Sequence, residues 1–320
     1  MKKLIAAAII AITIISGSVT ANANQLKSTT VAPTLAILDN ALDTSIPFIK
    51  SQVVAEVCIL DWLSCPNGKS FMEGPGSSVL PAKMMSSSFS HGTQMASAAL
   101  LANPNLNIVF IRIVGNTKKG NPQTYGINTL VNALNWVSDN QIKYNIVAVA
   151  SSNATNAPVI NKSSKSAYCT PTVLDPVISK LNNSGVPVFF PSGNSGMVSA
   201  MKDKIEWPAC INQSIAVGGV ETLNLNKPKI SLISNYDKNL IDLWGEVRQP
   251  TVYPGNVLGY SYGTSVSVQV IAAKYVYLKD LNPDLTSAEI ISLMKTSSLP
   301  VENFSGQNVK LFSLNGVYNG

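Results

Sequence analysis

Ser90-His91-Gly92-Thr93-Gln94-Met95-Ala96-Ser97-Ala98-Ala99-Leu100 carries the single histidine of a 320-residue chain. Any imidazole proton transfer near neutral pH must therefore use His91. Gly92 allows backbone to approach closely beside the ring. The small residues that follow suit a helix packed deep in a core, and the sequence predicts one over 91–101. A lone histidine is more often structural than catalytic. Its meaning here depends on which reactive groups the fold brings to it.

Upstream, Thr34-Leu35-Ala36-Ile37-Leu38 is a continuous apolar run, as expected of a strand buried on both faces. It leads into Asp39. A carboxylate at the carboxyl end of a buried parallel strand lies where open α/β sheets place their chemistry. Downstream, strands are predicted over 107–114, 145–150, 186–190 and 214–217. Ile127, Leu130, Val131, Leu134 and Val137 recur at helical spacing, and further helices are predicted over 175–183 and 265–278. Thr286 and Glu289 form a capping box ahead of a last helix through Met294. The stretch 68–90 reads as loop. Alternating strands and helices predict an α/β fold: a central, mostly parallel sheet covered by helices on both faces. No internal repeat or dividing linker is seen.

Composition narrows the function classes. With 46% hydrophobic and 12% charged residues, the chain is not disordered and can bury one large core. The net charge of +6 is scattered, without an arginine cluster or interleaved aromatics, so nucleic acid is not an expected partner. Met1-Lys2-Lys3, the apolar run from Leu4 to Ile15 and Ala21-Asn22-Ala23 form a secretory signal pattern. The expectation is a signal peptide over 1–23 and a mature domain over 24–320, secreted or periplasmic. The apolar run is too short to span a membrane comfortably, and no membrane association is expected after cleavage. Four cysteines in an exported chain suggest two disulfides. The pairing with the shorter loops is Cys58–Cys65 with Cys169–Cys210. Zinc-type cysteine spacing is absent, and no metal or cofactor is expected.

A third reactive group appears late in the chain. In Gly263-Thr264-Ser265, the serine opens a predicted helix. There the dipole and a free backbone N–H can face a developing anion. Asp39, His91 and Ser265 together are the three groups needed for base-assisted nucleophilic attack. Gly259-Tyr260-Ser261-Tyr262-Gly263 also fits the G-x-S-x-G nucleophile elbow. That arrangement needs a histidine after the serine, and none exists, so Ser261 is expected in a loop.

The order Asp, His, Ser resembles that of the subtilisin-like serine proteases, the subtilases. Leu35-Ala36-Ile37-Leu38-Asp39 resembles the aspartate strand and Ser90-His91-Gly92-Thr93 the histidine motif. Ser192-Gly193-Asn194-Ser195-Gly196 resembles the oxyanion turn, and Gly263-Thr264-Ser265 the serine motif. The similarity runs from about Val31 to Ser298. It implies a subtilisin-like three-layer fold and a serine endopeptidase that cleaves through an acyl-enzyme. Ser265 would be the nucleophile and His91 the general base. Asp39 would orient the ring, and Asn194 with the Ser265 N–H would hold the oxyanion. The resemblance also implies that Ala150, Ser151 and Ser152 pair with an extended protein or peptide substrate, and that Ser192 and Gly193 lie near it. A monomer without a recognisable propeptide domain is expected.

The chain departs from the family pattern at several points. Asn40 and Ala41 follow the aspartate in place of a hydroxyl residue and glycine. Ser90 precedes the histidine in place of glycine, Gln94 replaces a second histidine, and Gln269 replaces a proline. The substrate-pairing segment lacks its glycine. The alternative reading is accordingly a weak or inactive relative that binds peptides in the same groove. For His91, burial and the Asp39 charge are expected to cancel, placing the rise of activity between about pH 6 and 7.5.

Overall fold

The run Thr34–Asp39 forms strand β1, buried along its whole length at the middle of the main sheet. Its alternation sorts side chains to two sides. Leu35 and Ile37 enter one core, and Ala36 and Leu38 enter the other. Each fully buried leucine or isoleucine contributes roughly 1.5–3 kcal/mol. The computed structural model describes residues 32–312 except 62–63, 118, 120, 124–125, 155–171, 199–203, 223–227, 238 and 302–308. The expected secretory segment and Cys169 lie outside these residues.

After β1 the strands in chain order are β2 (Val53–Ile59), β3 (Phe71–Glu73), β4 (Asn107–Arg112), β5 (Gly115–Asn116) and β6 (Pro122–Gln123). Next come β7 (Ile146–Ser151), β8 (Val188–Pro191), β9 (Ile215–Glu221), β10 (Lys229–Ile230) and β11 (Leu243–Glu246). The last are β12 (Arg248–Tyr253), β13 (Val257–Tyr262), β14 (Ser298–Val301) and β15 (Val309–Phe312). The helices are α1 (Pro47–Lys50), α2 (Ala82–Ser87), α3 (His91–Ala102), α4 (Ile127–Asn140), α5 (Asp175–Asn183), α6 (Thr264–Leu281) and α7 (Ser287–Thr296).

The main sheet runs β10-β9-β8-β7-β1-β4-β2-β3, with β11 also beside β9. Strands β2, β4, β1, β7, β8, β9 and β11 pair in parallel, and the edge strands β3 and β10 are antiparallel. Helices α4 and α5 cover one face through Leu130, Leu134, Val137, Ile178 and Leu181. Helices α3, α6 and α7 cover the other through Ala96, Ala99, Val268, Ile271 and Ile290. The chain thus has the expected three layers. Because the strands are parallel, their carboxyl ends share one edge, and the residues that follow β1, β7 and β8 meet there.

Several elements differ from the expectation. The stretch 68–90 contains β3 and α2, where only loop was expected. Ser261 lies in β13, a strand of the β12–β13 hairpin, and not in a loop. The inward positions of β13 are Gly259 and Ser261, so the strand carries no apolar alternation to announce it. The Ser261 hydroxyl is buried and donates to Gln94 Oε1 at 2.6 Å, with Thr251 Oγ1 at 2.9 Å. The capping box at Thr286 and Glu289 is present. Cys58 and Cys65 form a disulfide at the end of β2. Cys210 is also disulfide-bonded. Its expected partner Cys169 is outside the described residues. Among the described residues no helix is long and apolar enough to cross a membrane.

Candidate active site

Asp39 closes β1 and is 1% exposed. Its Oδ1 accepts the Asn40 N–H at 2.7 Å, and both carboxylate oxygens lie within 3.0 Å of His91 Nδ1. A carboxylate accepts, so Nδ1 carries the proton and Nε2 is left with its lone pair. Helix α3 begins at His91 itself, which places the ring at the sheet edge. Asn40, one of the departures from the family pattern, joins the two elements. Its Oδ1 accepts the Gly92 N–H at 2.8 Å and the Ala41 N–H at 2.6 Å. Gly92 is needed for this approach. A Cβ there would lie 2.4 Å from the Ala41 carbonyl oxygen and 2.7 Å from Phe110.

The His91 side chain remains 41% exposed, open to a reactant. Burial lowers its pKa, but the Asp39 charge and hydrogen bond outweigh that loss, and the pKa rises above the ordinary 6.5. The expected cancellation is therefore corrected: the buried carboxylate acts on both ring contacts at short range, where attraction is strong.

Ser265 occupies the first turn of α6, behind Gly263 and Thr264. Its backbone N–H belongs to the group that lacks intrahelical acceptors. Asn194 is fixed against the same turn. Its Oδ1 accepts the Thr264 N–H at 2.9 Å and the Thr264 hydroxyl at 3.0 Å. A backbone N–H can only donate, so the oxygen must face Thr264 and the Nδ2 group must face away. Nδ2 has no acceptor among the described residues.

Asp39, His91, Asn194 and Ser265 all line one cleft of about 420 Å³. Its other walls are Asn40, Val114, Pro122, Ser152, Asn153, Ala154, Ser195 and Glu206. Among the described residues the Ser265 hydroxyl does not bond His91. It donates to the Ser152 carbonyl at 3.1 Å. Ser152 is tied in turn to the same helix: its hydroxyl donates to the Ser265 carbonyl at 3.1 Å and accepts from Gln269 Nε2 at 2.7 Å. Gln269 thus stands in the family's proline position as a donor to the cleft wall.

Asp39, His91, Asn194 and Ser265 have come together from four separate segments, in that order along the chain. A sequence model described as the Subtilase family matches residues 30–315. The chain belongs to the subtilase family. By family it is a serine-type peptidase. This subtilase is 22% identical to the major intracellular serine protease of Bacillus subtilis (strain 168), over 84% of this chain and 76% of that one. It is 23% identical to subtilisin BL of Lederbergia lenta, over 65% and 70% of the respective lengths. Among solved structures, a protease of Pseudoalteromonas arctica PAMC 21717 superposes with a TM-score of 0.66 at 18% identity, covering 90% of this chain and 89% of the other.

The implied substrate contacts are placed unevenly in this subtilase. Ser152 lines the cleft, but Ala150 and Ser151 lie inside β7, buried and paired across to neighbouring strands. Ser192 is buried, and its hydroxyl donates to the Asn235 carbonyl at 3.0 Å. Gly193 has φ +112° and packs against the Glu206 carboxyl group, where a Cβ would be 2.4 Å from Glu206 Cδ. Asn153, Ala154, Val114, Pro122 and Glu206 were not found by sequence. Apart from Pro122, which is in β6, they come from loop segments, and no motif marks any of the five.

Proposed function

We propose that the protein is an endopeptidase that hydrolyses peptide bonds through an acyl-enzyme on Ser265. The observation that carries this reading is the doubly contacted Asp39–His91 pair in the cleft that also holds Ser265 and Asn194. The Ser265 hydroxyl leaves the Ser152 carbonyl and turns to His91 Nε2. As its oxygen bonds the scissile carbonyl carbon, its proton passes to Nε2. The new imidazolium is stabilised by Asp39, which keeps its charge. The carbonyl oxygen becomes an anion received by Asn194 Nδ2 and the Ser265 N–H. His91 then gives the proton to the leaving nitrogen, and the C–N bond breaks. Water repeats the sequence to free Ser265. Positioned proton transfer of this kind supplies roughly 10²–10⁴-fold in rate.

The substrate is an unfolded or extended protein segment, lying along Ser152, Asn153 and Ala154. The secretory pattern of residues 1–23 and the Cys58–Cys65 bond support action in an oxidising compartment, the periplasm or the exterior. We take 24–320 as one catalytic domain acting as a monomer. The Ser265–Ser152 hydrogen bond favours a second reading, a relative that binds peptides without cutting them. A fluorophosphonate probe and a labelled casein separate the two. Labelling of Ser265 alone, with casein cleavage abolished in Ser265→Ala, supports the peptidase. Labelling of Ser261 overturns the site. Casein left intact by labelled protein supports the second reading.

A further inference from the structure

A second carboxylate lines the cleft and takes no part in the steps above. Glu206 is 6% exposed. Its Oε1 accepts the Ser195 hydroxyl at 2.7 Å, and its carboxylate also accepts the Asn194 N–H. Among the described residues no cation pairs with it. Its pKa is raised from the ordinary 4.5 by burial, which the two hydrogen bonds offset only in part. A carboxylate taken out of water without a counter-charge is costly to the fold. One facing an open cleft is where a cationic ligand gains most.

The position limits what that ligand is. Asn194 links the two ends of the arrangement. Its side chain is held by Thr264, next to the nucleophile, and its backbone N–H is held by Glu206. Gly193 has no side chain, so the carboxyl group packs directly against backbone adjoining the oxyanion donor. The carbonyl that Asn194 receives belongs to one substrate residue, and that residue's side chain departs from the neighbouring carbon. It is thus the substrate side chain that enters the region beside Asn194. An apolar side chain there would desolvate Glu206 further without pairing it. A long basic one brings both charge and donors to it.

We propose that Glu206 selects an arginine or lysine on the substrate residue whose carbonyl is attacked. This rests on the peptidase reading for its meaning, and the test separates the two. Four peptide p-nitroanilides that differ only in that residue, as Arg, Lys, Phe or Leu, are assayed with wild type and Glu206→Gln. Glutamine keeps an oxygen for Ser195 and Asn194. Wild type should favour Arg and Lys by at least about tenfold in kcat/KM. The basic-to-apolar ratio should fall roughly 10- to 100-fold in Glu206→Gln, the size of a buried charged hydrogen bond. Preference for Phe or Leu in wild type, or an unchanged ratio in the variant, overturns the assignment. Calorimetric binding of uncleaved Arg and Phe peptides to Ser265→Ala gives a readout without catalysis. There the Arg peptide should bind at least tenfold tighter, and equal, weaker or absent binding overturns the assignment. If that preference holds while wild type cleaves nothing, the peptidase reading falls and the Glu206 assignment stands. If Glu206→Gln fails to fold, the wild-type ratio and the binding arm still decide.

Discussion

Asp39 and Glu206 face the same cleft from buried positions, yet their surroundings set them to different work. Asp39 ends a strand flanked on both sides, and its oxygens are engaged by a backbone N–H and an imidazole. Glu206 sits in a connection and is held by a hydroxyl and a backbone N–H, and among the described residues it has no partner that can carry charge. The first carboxylate meets an imidazole, which in the proposed mechanism it orients as the base. The second meets no cation among the described residues, and we read it as the acceptor of a basic substrate side chain. The lesson is that burial alone does not assign a role to an acid. What its remaining lone pairs meet does.

The sharpest way to break the comparison is at Asp39. Asp39→Asn can present an amide N–H to Nδ1 and stabilise the wrong tautomer, with Nε2 protonated and unable to accept. The expected loss is about 10⁴-fold in kcat/KM on every substrate, basic or apolar. Glu206→Gln should instead change the ratio between substrates. A uniform loss in both variants, measured across the same p-nitroanilides, would erase the distinction.

Next in size is Asn194→Leu, which touches both carboxylates' neighbourhoods. It should lower kcat by roughly 10²–10³-fold, the established effect of one such donor in a subtilisin, with little change in KM. A rise in KM alone would make Asn194 a ground-state contact.

Gly92→Ala tests the packing that brings His91 to Asp39. The added Cβ meets the Ala41 backbone oxygen at 2.4 Å, which cannot swing aside. Urea unfolding should show a loss of about 1–3 kcal/mol. Unchanged stability would mean that the β1–α3 junction is looser than its hydrogen bonds indicate.

The smallest effect expected is a pH shift. His91 is the only histidine, so its resonances can be followed without overlap in Ser265→Ala. Its pKa should lie above 6.5 and fall when Asp39→Asn is added. The sign differs for stability and activity. The Asp39–His91 attraction contributes stability that is fully present below 6.5 and fades as pH rises through the folded pKa. Activity needs the neutral ring and appears over that same rise. A folded pKa at or below 6.5 would break the Asp39 half of the comparison.

Reading the sequence went furthest where one residue type was unique or a run was uniformly apolar. His91 had no rival, and Thr34–Asp39 could only be a doubly buried strand, so the sheet centre and the Asp39–His91 meeting were legible. The place of Ser265 at the start of a helix was legible from Gly263-Thr264-Ser265. Strand β13 was not, since its inward positions are glycine and serine. Strand β2 was missed because Glu56 interrupts its apolar run, although the carboxylate is buried and accepts the Ser78 hydroxyl at 2.6 Å. Glu206 stands between Ile205 and Trp207 with no motif to mark it. Only the fold turns it inward beside Gly193.

The placement of α6 has a consequence for the order of assembly. Every strand of the main sheet precedes Thr264 in the chain. Ser265 is therefore made after all of them, and its contacts with Ser152 span 113 residues. The same helix supplies Val268, Ile271 and Ala272 to the core beneath Ala148, Phe189 and Val217. A nascent chain that stops short of this helix lacks both the Ser265 hydroxyl and much of the cover of one hydrophobic layer. Segments made early close only slowly against partners so distant in sequence. Docking of this one helix therefore brings the Ser265 hydroxyl to the cleft and covers Ala148, Phe189 and Val217 in the same event of assembly.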